Sequence, residues 1–317
     1  MAITQESPAL SAPSLKWSEY NELLTERNDL TQFLPQLREG FRSLDEENRK
    51  DPQHPRIYPD VLFQILAYAK SYQGIAWRDT VGTAKTLCEP EGFPVPCFVT
   101  IYLRCQDIDL QSLLGPEVGT ESDPIDLPEE DAIDDTGFKE RGPGEWRSKI
   151  HHPKKHRLWL KFHALINMYN RKIRTYGLSV SSIKGKHCAH RLIHRAQRNR
   201  HIKKLYGDGE YDYKPLYEEA EQHQFEAIFR PRMDANPKRN DHSARAIYIW
   251  KVKQVGWEEY KKVSHYGHRW TIEIAFSAFK RVFGDHVYSR KTNAIKQEIR
   301  WKVQIYNWFM SLLNDLL

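Results

Sequence analysis

The chain has 317 residues, 40% of them apolar and 28% charged, which is enough for a sizeable core in one large domain or two smaller ones. No apolar run approaches the roughly 18 residues of a membrane span. The N-terminal MAITQESPAL lacks a basic start and an apolar stretch, so no signal peptide and no membrane are expected, and the cytoplasm is the expected compartment.

The net charge of +6 hides an asymmetry. Residues 1–131 carry 11 basic against 23 acidic side chains, a net of −12, whereas 132–317 carry 37 against 19, a net of +18. A lobe this basic calls for a polyanionic partner, most simply nucleic acid. Cys88, Cys97, Cys105 and Cys188 form no C-x-x-C pair, so reduced thiols are expected.

In chain order, residues 1–55 are polar and helix-prone, with SEYNELLTERNDLTQFLPQLREGF as one periodic segment. YPDVLFQILAYAKSYQGIAWRDTVGTAKTLC reads as two helices, with Asp60 as N-cap and a break at YQG. A third short helix is expected from Thr100 to Cys105. Three such helices match a helix-turn-helix unit that binds DNA ends, or a plain bundle that serves dimerisation. The acidic lobe and a single base, Arg104, on the third helix favour the bundle. An N-terminal helical domain is thus expected over 1–118. The acidic, Pro- and Gly-containing stretch 119–131 reads as a linker, and the second domain spans 132–317.

The second domain opens with three strands, AIDDTGFKE, RLWLKFHALINM and RKIRTYGLSVS. A helix, CAHRLIHRAQRNRH, precedes a strand KKLYGDGEYD that ends in a Gly-flanked acidic turn. The helix YKPLYEEAEQHQ and the strand FEAIFRPR follow, then mostly helix to the C-terminus. Three strands followed by alternating helix and strand fit an α/β fold with a mixed sheet.

Asp134, in IDDTG, and Asp208, in GDGEYD, stand where apolar strands meet glycines. Carboxylates there project into the crevice where α/β sheets bind ligands, although turn aspartates commonly serve only as caps. Downstream, YGHRWTIEIAFSAFK holds Tyr266, Arg269, Glu273 and Lys280. At about 100° per residue these four fall within roughly 60° of one another on a helix. Trp270, Ile274, Phe276 and Val282 point elsewhere, toward a core. A stripe of one acid, two bases and a phenol is either a solvated charge-paired face or a carboxylate that binds metal while its neighbours hold phosphates.

The spacing Tyr266-x2-Arg269-x3-Glu273-x6-Lys280 resembles the Y-(2)-R-(3)-E-(6)-K signature of DDE transposases of insertion sequences, complete at all four positions. IDDTG and GDGEYD resemble the family's first and second acidic motifs, in the expected order, and DDTGFKERGPGEW resembles members with a Trp-containing turn after the first acid. The resemblance covers roughly 130–300. It implies a ribonuclease H-like mixed sheet flanked by helices, with the first acid on the first strand, the second after the fourth and the Glu on a later helix. It also implies a triad of Asp134, Asp208 and Glu273. Asp135 stays open as the alternative first acid; Asp134 is preferred because a small polar residue follows it before Thr136. With 64 residues between Asp208 and Glu273, no β-rich insertion fits there.

By this resemblance the three acids ligate two Mg²⁺ or Mn²⁺ ions, oxygen-rich sites suiting such ions. Arg269 and Lys280 hold phosphates, and Tyr266 contacts a phosphate or supports Arg269. The implied activity is strand cleavage at the element's terminal inverted repeats and strand transfer into target DNA, by a homodimer or larger multimer associated with the nucleoid when on DNA. A nuclease without strand transfer and a silent DNA-binding derivative are the alternatives. The tracts containing Lys154, Lys155 and Arg157, and Arg191, Arg195, Arg198, Lys203 and Lys204, are expected to contact DNA phosphates. His187, Cys188, His190 and His194 match no zinc-finger spacing. Trp146 in its Gly-rich turn is read as a core or surface residue before a base-stacking one. The apolar C-terminal helix is expected to pack on the domain.

Overall fold

The computed structural model describes residues 28–115, 129–140, 159–180 and 182–314, together with Glu22 and Thr25. A one-turn 3-10 helix, Leu30–Phe33, is capped by Asp29, whose carboxylate accepts the Thr31 N–H at 2.9 Å. It leads into α1 (Leu34–Lys50), which buries Leu37, Phe41 and Leu44 along one stripe. Helices α2 (Asp60–Gln73), α3 (Thr80–Cys88), α4 (Phe98–Arg104) and α5 (Gln111–Leu114) come after it. Pro59 takes the cap position expected of Asp60, which is the first helical residue. Every residue of α2 from Leu62 to Ser71 is buried. On α4 the outward residues include Val99 and Leu103, and Arg104 is paired with Asp60.

The sheet begins with β1 (Glu130–Glu140), β2 (Trp159–Asn167) and β3 (Ile173–Val180), joined antiparallel. Helix α6 (Gly185–Asn199) leads to β4 (Lys204–Gly207), and α7 (Lys214–Gln222) leads to β5 (Glu226–Phe229). The crossover helices make β4 parallel to β1 and β5 parallel to β4. Strand order is β3-β2-β1-β4-β5, a mixed sheet flanked by helices. Helices α8 (Ala244–Val255) and α9 (Trp257–Val263), a 3-10 turn (Tyr266–Arg269) and α10 (Trp270–Phe283) come next. A two-residue strand not foreseen in the sequence, β6 (His286–Val287), pairs with the far end of β1 before α11 (Thr292–Asn314). One edge of β1 is therefore covered by β4 at Glu130–Ala132 and by β6 at Lys139–Glu140, with the stretch between them unpaired on that side.

Side chains on a strand alternate between faces. Ala132, Phe138, Phe162 and Tyr206 form one face, packed under α10 and α11 in a core that also takes in Phe33, Leu37, Phe63 and Tyr68. Ile133, Leu165 and Leu205 form the other, under Leu192 and Ile193 of α6 and Leu216 of α7. The N-terminal helices and the sheet thus share an apolar core, with α2 lying against α11. Of the expected linker, residues up to 128 lie outside the described ones. Glu130 and Asp131 already belong to β1, where Asp131 is buried and paired with Arg174. Acidic composition disguised the strand's start because its compensating base lies 43 residues away.

Candidate active site

The β1–β4 register sets Ala132 opposite Tyr206. Two residues further along each chain stand Asp134 and Asp208, and the two-residue period keeps both on the face of α10. β4 ends at Gly207, so Asp208 occupies the strand-to-turn junction. A Cβ at Gly207 would come within 2.9 Å of Phe229 and 3.0 Å of Tyr211, so only glycine lets the chain approach β5 this closely. Asp134 Oδ1 accepts the Asp135 N–H at 2.8 Å, and Asp208 Oδ1 accepts the Glu210 N–H at 2.8 Å. Burial pushes Asp134 up to about 7, with the charge of Asp208 adding to it. Burial likewise raises Asp208, with Glu210 adding.

The signature segment is not one continuous α-helix. His265 has φ 54°, a left-handed conformation that sets α9 apart from the next turn, and Tyr266–Arg269 then forms a 3-10 helix. Three residues per turn replace 3.6 there, so Tyr266 leaves the predicted stripe. Its ring is buried against Trp257, and its hydroxyl donates to the Gly207 carbonyl at 3.1 Å. The phosphate contact expected of Tyr266 meets a hydroxyl already engaged beneath Asp208. Arg269 and Glu273 do adjoin, one helical turn apart. The guanidinium donates to Glu273 Oε1 and, at 3.4 Å, to Asp134 Oδ2. Lys280 lies further along, its Nζ 5.8 Å from the Phe138 ring centroid; burial lowers its pKa. Trp270 and Ile274, expected in the core, are 63% and 37% exposed, because the helix buries only Ile272, Ala275, Phe276, Phe279 and Phe283.

Asp135 points to the opposite face of β1. Its Oδ2 lies 3.0 Å from Lys161 Nζ and 3.6 Å from His163 Nδ1, and His163 Nε2 meets Ser179 Oγ at 2.7 Å. Although burial works to raise it, His163 and Lys161 hold Asp135 below the usual carboxylate range. A Cβ at Gly185, which opens α6, would lie 2.7 Å from Asp135 Oδ2 and 2.6 Å from the Tyr211 hydroxyl. A larger residue here would push the Asp135 carboxylate and the Tyr211 hydroxyl aside.

Beside Asp208 opens a cleft of about 690 Å³, walled by Arg230, Arg232, Lys261, Arg269, Met233 and Trp270. Arg230, Arg232 and Lys261 were not singled out by sequence. Their signal was positional, since Arg230 comes directly after β5 and so lies, like Asp208, at the carboxyl ends of the parallel strands. The other predicted bases are dispersed. Arg191, Arg195 and Arg198 are exposed on α6. Lys203 and Lys204 stand at the opposite end of β4 from Asp208, paired with Glu129 at 3.1 Å and Glu130 at 2.8 Å. Lys154, Lys155, Arg157 and Trp146 lie outside the described residues.

The histidines of α6 face outward while Cys188 is buried, and His190 pairs with Glu219 at 3.0 Å. Among the described residues, no three His, Cys, Asp or Glu side chains stand close enough together to hold a metal ion. Asp134, Asp208 and Glu273 nonetheless supply the all-oxygen donor chemistry that hard divalent cations take. A cation, the Arg269 guanidinium, already joins the acid of β1 to the acid of α10. In donor type and in their demand for positive charge, these residues fit a divalent ion.

Among the described residues no helix is long and apolar enough to cross a membrane. Similar solved structures include a piggyBac transposase synaptic complex with hairpin DNA, with TM-score 0.40 and 10% identity over 90% of this chain and 74% of that one. Another is the Drosophila P element transposase strand transfer complex, with TM-score 0.35 and 9% identity over 90% of this chain and 71% of that one. The family profile described as Transposase DDE domain matches residues 130–308, from the first residue of β1 into α11. That match spans more than half of the sequence and contains every strand of the sheet, and the chain belongs to this family of transposases.

Proposed function

We propose that this transposase serves an insertion sequence, cutting DNA at the element's terminal inverted repeats and joining the freed ends to target DNA. The observation that carries the reading is the meeting of Asp134, Asp208, Arg269 and Glu273 at one edge of β1. In this reading Asp134, Asp208 and Glu273 hold divalent magnesium or manganese, two ions per site. Such ions, when bound, neutralise charge at phosphorus and favour ionised water or hydroxyl as nucleophile. In the first step water attacks the scissile phosphorus and the 3′ oxygen of the neighbouring nucleotide leaves. In the second, that 3′ hydroxyl attacks a phosphorus of the target strand and displaces its 3′ oxygen. The chain's own contribution is to bind and orient. Arg269 grips a phosphate through its planar fork, and Arg230, Arg232 and Lys261 line the approach to Asp208 with positive charge. Lys280 extends that charge along α10. Two DNA ends are brought together by a homodimer or larger assembly of the chain, acting at the nucleoid.

The test is cleavage and strand transfer on labelled duplexes carrying the element's ends, with and without Mg²⁺. Asp134→Asn, Asp208→Asn and Glu273→Gln are each expected to lose at least about a hundredfold in rate, equivalent to ~2.7 kcal/mol in the barrier. Asp135→Asn is expected to retain cleavage well above Asp134→Asn. Retained cleavage by Asp208→Asn or Glu273→Gln would overturn the assignment. Cleavage without joining would reduce the activity to that of a nuclease.

A further inference from the structure

We infer that Arg269 makes metal loading conditional on a bound phosphate, so that the site assembles only on DNA. The inference rests on the metal-site reading above and adds an order of events to it. The guanidinium spans the two acids that have to cooperate, donating through one terminal nitrogen to Asp134 Oδ2 and through the other to Glu273 Oε1. Asp134 is backed by the Asp135 N–H on its other oxygen, so the oxygen it has to offer is the one facing Arg269. Glu273 is 43% exposed and Arg269 18%, so the carboxylate has room to move while the arginine is held inside the site. While the bridge stands, no three acids converge on one point among the described residues.

The same guanidinium also borders the cleft lined by Arg230, Arg232 and Lys261. Asp208 and Glu210 also line that cleft, but with Arg269 the bases outnumber the acids by four to two, so an entering anion is attracted. A DNA phosphate entering this cleft offers Arg269 a bidentate partner of one negative charge, held at the same time by Arg230, Arg232 and Lys261. One fork cannot face both ways, so a phosphate that takes Arg269 frees Asp134 Oδ2 and Glu273 Oε1 together. The two acids, with Asp208 beside them, are then left without their shared cation and have every reason to take another. By linkage the effect is reciprocal: a phosphate that tightens metal binding is itself bound more tightly when metal is present.

The experiment measures Mn²⁺ binding to the full chain by the paramagnetic resonance signal of the free ion. It is done alone, with inorganic phosphate, and with a short duplex of mixed sequence. Asp208→Asn supplies the blank for manganese held elsewhere or by the DNA. In the wild type the duplex is expected to tighten the Asp208-dependent binding by at least about fivefold, the lower end of typical coupling between sites. Arg269→Gln is expected to bind Mn²⁺ tightly without DNA and to gain little from the duplex. Arg269→Lys, which keeps the charge but replaces the planar two-nitrogen fork with a single shorter-reaching nitrogen, is expected to behave in the same direction and serves if the glutamine variant does not fold. If Asp208-dependent binding exists but its coupling to DNA survives both substitutions, the latch is refuted and the metal-site reading stands. Binding unaffected by Asp208→Asn and Glu273→Gln, with or without duplex, would refute both.

Discussion

Glu298 offers the sharpest test of how the N-terminal helices are tied to the sheet. It is fully buried on α11 and accepts the Tyr288 N–H at 3.0 Å and the Ser289 N–H at 2.9 Å, just beyond β6. Its other contacts are Lys302 Nζ at 3.1 Å and, from α2, Lys70 Nζ at 3.8 Å. Burial lowers both lysines, and Glu298 opposes that shift. Burial also works to raise Glu298, but the two lysines hold it below its ordinary value. At an effective dielectric of about 20 the two contacts represent roughly 5 and 4 kcal/mol of bare attraction, offset by repulsion between the ammonium groups and by lost hydration. Glu298→Gln keeps the shape and removes the charge, leaving two buried ammonium groups without a counter-ion. The expected cost is about 3–5 kcal/mol at neutral pH, the range for breaking one side of a buried ion pair. A lysine whose folded pKa lies below 10.5 binds fewer protons folded than unfolded, so it gains stability as pH rises toward 10.5. The variant, with its lysines depressed further, gains more than the wild type over that range. Urea unfolding near pH 7 and near pH 9.5 should therefore show the gap narrowing at the higher pH. A loss below about 1 kcal/mol at neutral pH, or a gap of equal size at both, would refute the account.

Tyr266→Phe should cost about 1 kcal/mol, the usual worth of one buried hydrogen bond, while leaving DNA affinity unchanged, because the lost partner is the Gly207 carbonyl; weakened DNA binding at unchanged stability would return Tyr266 to the phosphate. Replacing Arg191, Arg195 and Arg198 with Ala should weaken duplex binding and flatten its dependence on salt, by about 0.9 in the logarithmic slope for each phosphate no longer neutralised. The same measurement on Lys203→Ala with Lys204→Ala should show little change, since both are already paired with Glu129 and Glu130.

Much of the sheet was legible because its strands announce themselves locally. The apolar runs of β1, β2 and β3 and the glycine-flanked end of β4 each carry their own pattern, so Asp134 and Asp208 were found at strand positions before any pairing was known. β6 was not legible, since two residues have no period of their own and exist as a strand only because β1 offers an edge. The stripe on the signature helix was half legible. Arg269 and Glu273 are local neighbours one turn apart, which spacing fixes. Tyr266 escaped, because a left-handed His265 and a 3-10 turn break the uniform 100° step.

By itself the sequence determined the candidates for the chemistry and their order: an acid that the structure places within β1 and not at its end, an acid just beyond β4, then a glutamate flanked by arginine and lysine at helical spacing. Residue type and short-range periodicity suffice for that. Only the tertiary structure decided which of two adjacent aspartates faces the helix, since that depends on the register of β1 against β4 and not on either strand alone. It also decided that Arg230, Arg232 and Lys261 border the same cleft, and that Lys203 and Lys204 stand at the end of β4 opposite to Asp208. Chain direction through the parallel strands β1, β4 and β5 separates residues close in sequence and gathers others far apart, and charge counted along a sequence contains no record of which end of a strand it occupies.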